Sequence, residues 1–70
     1  MTRKYLDPDG FVWEVSDDWL FPGEHSVFRR LPGGGLYRAH ETTLERRADR
    51  VGLELALAKF ALAHGFKEMT

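Results

Sequence analysis

The chain contains no cysteine among its 70 residues. This absence excludes disulfides and thiolate metal sites, which are two common means of stabilising a small fold. Histidine is scarce and dispersed, at His25, His40 and His64, so we expect no metal and no cofactor. A chain of this length buries only about 60% of its unfolded surface, so it needs reinforcement, and oligomerisation is the means that remains.

The chain also lacks an excess of charge of either sign, with ten basic and eleven acidic side chains. A balanced charge argues against a partner that is recognised by bulk charge alone, such as a nucleic acid or a membrane surface. No apolar run approaches the roughly 20 residues of a membrane span, and the first residues contain no apolar signal segment. We therefore expect a cytoplasmic protein that does not bind membranes.

Groups that could act as activated nucleophiles are few. The only serines are Ser16 and Ser26, and although Ser26 follows His25, neighbours in an extended chain point to opposite faces. Two pairs of carboxylates fall in predicted turns, where aspartate is favoured for local backbone hydrogen bonding: Asp7 with Asp9, and Asp17 with Asp18. Because acid, base and nucleophile do not converge in this pattern, we expect that the protein is not an enzyme.

The first 40 residues have a pattern that is typical of an antiparallel sheet. Glycine and proline separate short runs of aromatic and β-branched residues, and residues 7–10 (Asp-Pro-Asp-Gly) are the clearest turn. The predicted strands cover residues 5–6, 11–16, 26–31 and 36–39, with residues 19–21 as a further short candidate. We predict three or four short strands, arranged as hairpins or a meander over residues 1–40.

Residues 7–13, Asp-Pro-Asp-Gly-Phe-Val-Trp, resemble the openings of small actinobacterial and phage proteins. Seven of the ten basic residues are arginine, which fits a GC-rich source of that kind. The resemblance covers only about ten residues and implies no activity.

The second half of the chain carries one helical pattern over residues 42–64. Thr42 and Glu45 fit a capping box at its start, and Gly65 fits the residue that follows a helix end. A helix over residues 43–64 would be about 33 Å long. A four-stranded sheet, at about 4.8 Å per strand, is narrower than that. We therefore predict a single α+β domain over residues 1–70, with a small antiparallel sheet followed by one long helix that overhangs it.

The predicted helix has two apolar stripes. The first has alternating spacings of four and three residues, which predicts packing on the sheet or a coiled-coil seam; its members are Leu44, Ala48, Val51, Leu55, Ala58 and Leu62. The second stripe lies on the opposite side and contains Leu53, Leu57 and Phe60, with His64 at its end. A single sheet covers one side of a helix, so the second stripe needs another cover. That cover is the aromatic N-terminal part of the same chain, a second copy or a different protein, and we expect a homodimer.

Seven aromatic side chains in the first 40 residues exceed what a small sheet with one covered face needs. The surplus is interleaved with arginine, and the residues that could form a ligand surface are Trp19, Phe21, Arg29, Arg30, Arg38, Arg46, Arg47 and Arg50. This composition is typical of a protein-binding hot spot, and also of a surface that stacks single-stranded nucleic acid. For the arginines of the helix, an ordinary solvated face is the other interpretation.

Taken together, these patterns predict a small non-catalytic protein-interaction module, such as a regulatory or phage-type adaptor or inhibitor. We expect it to associate with itself through the C-terminal helix. Because the net charge is close to zero, nucleic-acid binding through the arginine and aromatic residues is the alternative rather than the first expectation.

Overall fold

Five short strands and one helix make up the part of the chain that the computed structural model describes, residues 3–69. The strands are β1 (Lys4–Leu6), β2 (Val12–Asp17), β3 (His25–Arg30), β4 (Leu36–Arg38) and β5 (Lys67–Met69). A single 3-10 turn (Thr42–Leu44) and the helix α1 (Arg50–Ala63) lie between β4 and β5. The sheet has the order β4-β3-β2-β1-β5, and all neighbouring strands are antiparallel. The α+β class is confirmed, but the sheet has five strands rather than three or four.

The hairpin between β1 and β2 forms at the predicted turn. The Oδ1 atom of Asp7 accepts hydrogen bonds from the backbone N–H groups of Asp9 (2.9 Å) and Phe11 (2.8 Å). Gly10 has a φ of +89°, a conformation that other residues rarely adopt. The second carboxylate oxygen of Asp7 accepts a hydrogen bond from the indole Nε1 of Trp13 at 2.8 Å. This aspartate therefore fixes both the turn and the position of a core side chain.

Two features of the sheet differ from the prediction. Residues 19–21 are not a strand, because the backbone of this segment folds back on itself: the N–H of Asp18 donates to the carbonyl of Glu24 at 3.0 Å, and the N–H of Glu24 donates to the carbonyl of Phe21 at 3.1 Å. The N–H groups of Leu20 and Phe21 donate to Asp18 as well, so the turn uses backbone groups that strand pairing would need. The fifth strand, Lys67–Met69, was not predicted, since its side chains are all exposed and give no alternating pattern.

The helix begins at Arg50, so the predicted start at Thr42 was wrong. Asp49 caps the helix, and its side chain accepts a hydrogen bond from the N–H of Gly52 at 3.0 Å. Upstream, the backbone of Arg47 exchanges two hydrogen bonds with His25, at 2.8 and 3.0 Å, which holds this segment extended against the sheet. The helix has 14 residues and is about 21 Å long, which is comparable with the width of a five-stranded sheet at about 4.8 Å per strand. The prediction that the helix overhangs the sheet was therefore wrong.

The end of the helix was predicted correctly. Gly65 has a φ of +72°, and the N–H of Phe66 donates to the carbonyl of Ala61 at 2.9 Å. The N–H of Gly65 donates to the carbonyl of Leu62 at 3.4 Å, which completes a Schellman motif. The chain then turns directly into β5.

The helix meets the sheet with its second stripe, not its first. Leu53 and Leu57 are fully buried, and Phe60 stacks on Trp13 with ring centroids 5.4 Å apart. These side chains belong to one core, whose buried members are Tyr5, Trp13, Val15, Val27, Ala39, Leu44, Leu53, Leu57 and Ala61. The second stripe is therefore covered within the chain, and Leu53 and Leu57 have no exposed surface with which to contact a partner. His64 is exposed and stacks on Phe60 at 4.0 Å.

Of the two alternatives for the first stripe, packing on the sheet is wrong for a physical reason, and the coiled-coil seam stays a prediction. Leu44 and Ala48 precede the helix that actually forms, so the stripe loses two of its six members. The opposite face gains Ala61 from the helix and Phe66 from beyond it, and Phe66 packs on Trp13 with ring centroids 5.1 Å apart. The larger continuous apolar surface is therefore the one that the sheet covers.

Candidate functional site

The loop between β2 and β3, residues 18–24, is fixed by a buried carboxylate at its first residue. Asp18 accepts hydrogen bonds from the hydroxyl of Ser26 (2.6 Å) and from the N–H of Leu20 (2.9 Å). The guanidinium of Arg38 donates two more, through Nε at 2.9 Å and Nη2 at 2.8 Å. These bonds from Arg38 hold the pKa of Asp18 well below its usual range, against the opposing effect of burial. The carboxylate is therefore charged at neutral pH and ties the loop to β3 and β4.

The side chain after this carboxylate lies over the sheet face that the helix does not cover. Trp19 stacks on Phe28, with ring centroids 5.0 Å apart and planes inclined by 19°. The guanidinium carbon of Arg38 lies 5.3 Å from the Trp19 ring centroid and 5.6 Å from that of Phe28. Phe28 is buried by this arrangement, yet 62% of Trp19 remains exposed. The stack therefore presents the indole to solvent in a defined position.

The rest of the loop extends the same exposed surface. Leu20 is 59% exposed, and Phe21 lies beside it under the guanidinium of Arg46, whose central carbon is 3.5 Å from the Phe21 ring centroid. Arg46 also forms an ion pair with Glu24 at 3.3 Å. We call the set of Trp19, Leu20, Phe21, Arg38 and Arg46 the loop surface.

The structure gathers only part of the predicted ligand surface. Trp19, Phe21, Arg38 and Arg46 come together, and Arg47 and Arg50 lie near the base of the loop, where Arg50 is 3.9 Å from Asp17. Arg29 and Arg30 lie at the far end of β3 and on opposite faces of the sheet. These two do not contribute to a common site with the loop.

The arginines of the loop surface are paired with carboxylates of the same chain. Arg38 binds Asp18, and Arg46 binds Glu24, so the charge of both guanidinium groups is balanced locally. Arg29 is different, because its guanidinium carbon lies over the Phe11 ring at 5.0 Å and its buried Nε has no hydrogen-bond partner among residues 3–69. Beside Trp19 and Phe21, the positive charge of the arginines is thus balanced by carboxylates of the same chain.

An open groove of about 520 Å³ borders the loop surface. Arg38 and Arg46 form one part of its lining, and His40, Glu41 and Glu45 form another. The groove offers donors and acceptors of both charges next to the exposed aromatic rings. An apolar anchor with a polar, mixed-charge border is the usual anatomy of a protein-binding site.

The outer side of the helix forms a second exposed apolar surface. Val51 is 71% exposed, Leu55 60% and Leu62 84%. With the half-buried Ala58 they are the four helical members of the first stripe, and we call them the outer helix face. Val51, Leu55 and Ala58 also line an open groove of about 300 Å³, together with Arg3, Arg50 and Glu54.

Sequence reasoning identified Trp19 and Phe21 but missed Leu20 and the role of Asp18. The pair Asp17-Asp18 was interpreted only as turn residues, and no local signal distinguishes Asp18, because its partner Arg38 lies 20 positions away. Comparisons of the chain with protein-family models, curated proteins and solved structures find no match in any of the three. Within residues 3–69, no helix has the length and apolarity of a membrane span, and no three His, Asp or Glu side chains are arranged to hold a metal.

Proposed function

We propose that this chain is a non-catalytic protein-interaction module that binds another protein through the loop surface. The observation that carries this proposal is the exposure of three consecutive large apolar side chains, Trp19, Leu20 and Phe21, on a loop that hydrogen bonds to the buried carboxylate of Asp18 hold in place. Exposed aromatic side chains gain free energy when a partner removes them from water.

The rigidity of the loop supports this proposal. A mobile loop loses conformational entropy on binding, at about 0.5–1.5 kcal/mol for each long side chain that becomes ordered. Here the four hydrogen bonds to Asp18 and the stacking of Trp19 on Phe28 order the surface before any partner arrives. Tryptophan and arginine are also the residue types that dominate binding hot spots.

Nucleic-acid binding is the second candidate function, and the ion pairs argue against it. Nucleic acids bind to cationic side chains that neutralise their phosphates, but Arg38 and Arg46 already have a carboxylate within 4 Å, as does Arg50. A phosphate would either have to displace these carboxylates or bind where the positive charge of the arginine is already balanced. The same arginines are well placed to support the aromatic rings by cation–π contacts in a protein interface.

The test is affinity capture from the native cell extract with wild-type protein and with the variant Trp19→Ala/Phe21→Ala. We expect at least one protein that the wild type retains and the variant loses, with recombinant partner then giving a dissociation constant at least tenfold weaker for the variant. Tyr37→Ala is the matched control, because Tyr37 is an exposed aromatic residue on β4 outside the loop.

Two outcomes would contradict the proposal. One is a partner that binds the double variant and the wild type equally well. The other is retention of nucleic acid that weakens steeply between about 50 and 200 mM salt, which would favour the phosphate-binding alternative.

A further inference from the structure

The outer helix face has the spacing of a coiled-coil seam. Val51, Leu55, Ala58 and Leu62 follow one another at intervals of four, three and four residues, so they form one narrow stripe over about two heptads. This stripe lies roughly opposite Leu53 and Leu57, which face the sheet. A second helix could therefore pack on the stripe while both sheets point away from the contact.

The charged residues on the two sides of the stripe are of opposite sign, so those of one copy of the chain can pair with those of a second copy. At about 100° per residue, Glu54 lies on one flank of the stripe and Lys59 on the other. In a parallel, in-register pair of helices, each flank of one helix faces the opposite flank of its partner, displaced by five residues. Glu54 and Lys59 are five residues apart, so two symmetric ion pairs would form between the copies. In an antiparallel pair the same flanks meet, and Glu54 and Lys59 would not face each other.

We propose that the outer helix face is the interface of a parallel homodimer, in which Glu54 of each copy pairs with Lys59 of the other. This interface is separate from the loop surface and does not depend on its function. It replaces the self-association surface expected from the sequence, since Leu53 and Leu57 are in the core of the chain itself.

The size of the face sets the strength of the dimer. The face consists of four side chains on a helix of 14 residues, so it is small compared with specific interfaces, which usually bury about 1,200–2,000 Å² in total. Glu54 shares its groove with Arg3 and Arg50 of the same chain, and solvent-exposed ion pairs contribute little free energy. The pairs between Glu54 and Lys59 therefore orient the dimer, and they do not supply most of its affinity. The dimer should therefore be in equilibrium with the monomer and dissociate on dilution.

The absence of cysteine allows a direct test of orientation, because each introduced thiol is the only one in the chain. In a parallel dimer, Leu62→Cys places two thiols opposite each other, within the roughly 7 Å between Cα atoms that a disulfide requires. We expect oxidation to give a covalent dimer of Leu62→Cys. Thr43→Cys, exposed and distant in sequence from the seam, should remain monomeric at the same concentration.

An antiparallel dimer would give a different pattern. Leu62→Cys would not cross-link to itself but would cross-link to Val51→Cys in a mixture of the two variants. That result would overturn the parallel arrangement. Absence of any cross-link, together with a constant monomer mass over a hundredfold range of concentration, would overturn the homodimer.

Sedimentation equilibrium tests the charges and the apolar stripe separately. We expect Glu54→Lys and Lys59→Glu each to weaken association by about 3- to 10-fold, and the double exchange Glu54→Lys/Lys59→Glu to restore it. Leu55→Ser should abolish dimerisation with an unchanged circular dichroism spectrum, because Leu55 lies outside the core. A double exchange that is as weak as the single variants combined would overturn the proposed pairing.

Discussion

The two faces of the sheet bury their side chains by different means. On the face that α1 covers, Leu53 and Leu57 pack against Val15 and Val27, and the contact is apolar. On the other face no helix is present in the described residues, and Phe28 is buried instead by Trp19, beside the ion pair of Asp18 and Arg38. One face is closed by apolar area and the other by a small number of directional bonds.

This difference suggests that one face mainly stabilises the fold and that the other mainly positions the exposed loop. Burial of apolar area is favourable in proportion to that area and has little directional preference. Compared with apolar side chains of similar volume, a buried ion pair adds little net stability, because desolvation offsets the attraction, although removal of one partner is costly; its geometry is specific. We therefore expect the helix-covered face to supply most of the free energy of folding. The open face should mainly determine where Trp19 and its neighbours lie.

The largest expected effect comes from the helix-covered face. Leu57→Ala should lower the free energy of unfolding by about 3–5 kcal/mol, because it removes a fully buried side chain and leaves a cavity. Urea denaturation followed by circular dichroism measures this loss. For a chain of 70 residues such a loss is a large part of the total stability, so the variant is best measured at low temperature. A loss below about 1 kcal/mol would contradict the assignment of this face as the principal core.

An intermediate effect is expected from the ion pair on the open face. Asp18→Asn should lower the free energy of unfolding at pH 7 by about 2–3 kcal/mol, because Arg38 loses a charged acceptor in a buried site.

The pH dependence distinguishes this variant from Leu57→Ala. Because the pKa of Asp18 is lowered in the fold from its ordinary value of 3.8, the unfolded chain binds a proton that the folded chain does not. The contribution of Asp18 is therefore fully present above about pH 5 and is lost as the pH falls below 4. Urea titrations at several pH values should show this acid loss in the wild type and in Leu57→Ala, and less of it in Asp18→Asn. An equal loss in all three proteins would contradict the role of this carboxylate.

The smallest effect on stability should come from the exposed aromatic residue. Trp19→Ala removes a ring that is 62% exposed, so we expect the free energy of unfolding to fall by about 1 kcal/mol or less. Thermal denaturation at pH 7 is sufficient to measure it. A loss comparable with that of Leu57→Ala would show that the open face is a second core and that Trp19 is structural rather than available to a partner.

Features set by local chemistry were predictable from the sequence. The Asp-Pro-Asp-Gly turn and the alternation of Trp13 and Val15 predict the first hairpin, and Gly65 predicts the helix end. These signals depend on residues close together in the chain. The α+β class follows from them.

Features set by distant residues were not predictable. The capping box at Thr42 predicts a start of the helix that does not form, because the pairing of Arg47 with His25 keeps the chain extended there, and Asp49 caps the helix instead. Likewise, the residues of the loop surface are visible in the sequence as aromatic and arginine side chains. The bonds between Asp18 and Arg38, which lie 20 positions apart, are not.

The position of β1 in the sheet has a consequence for folding. This strand lies between β2 and β5, so one of its edges pairs with a neighbour in sequence and the other only with residues 67–69. Until β5 is in place, the second edge of β1 is unpaired, and an unpaired edge can recruit strands from other chains. Because pairing of β1 with β5 closes the longest loop of the sheet, we expect it to form late in folding.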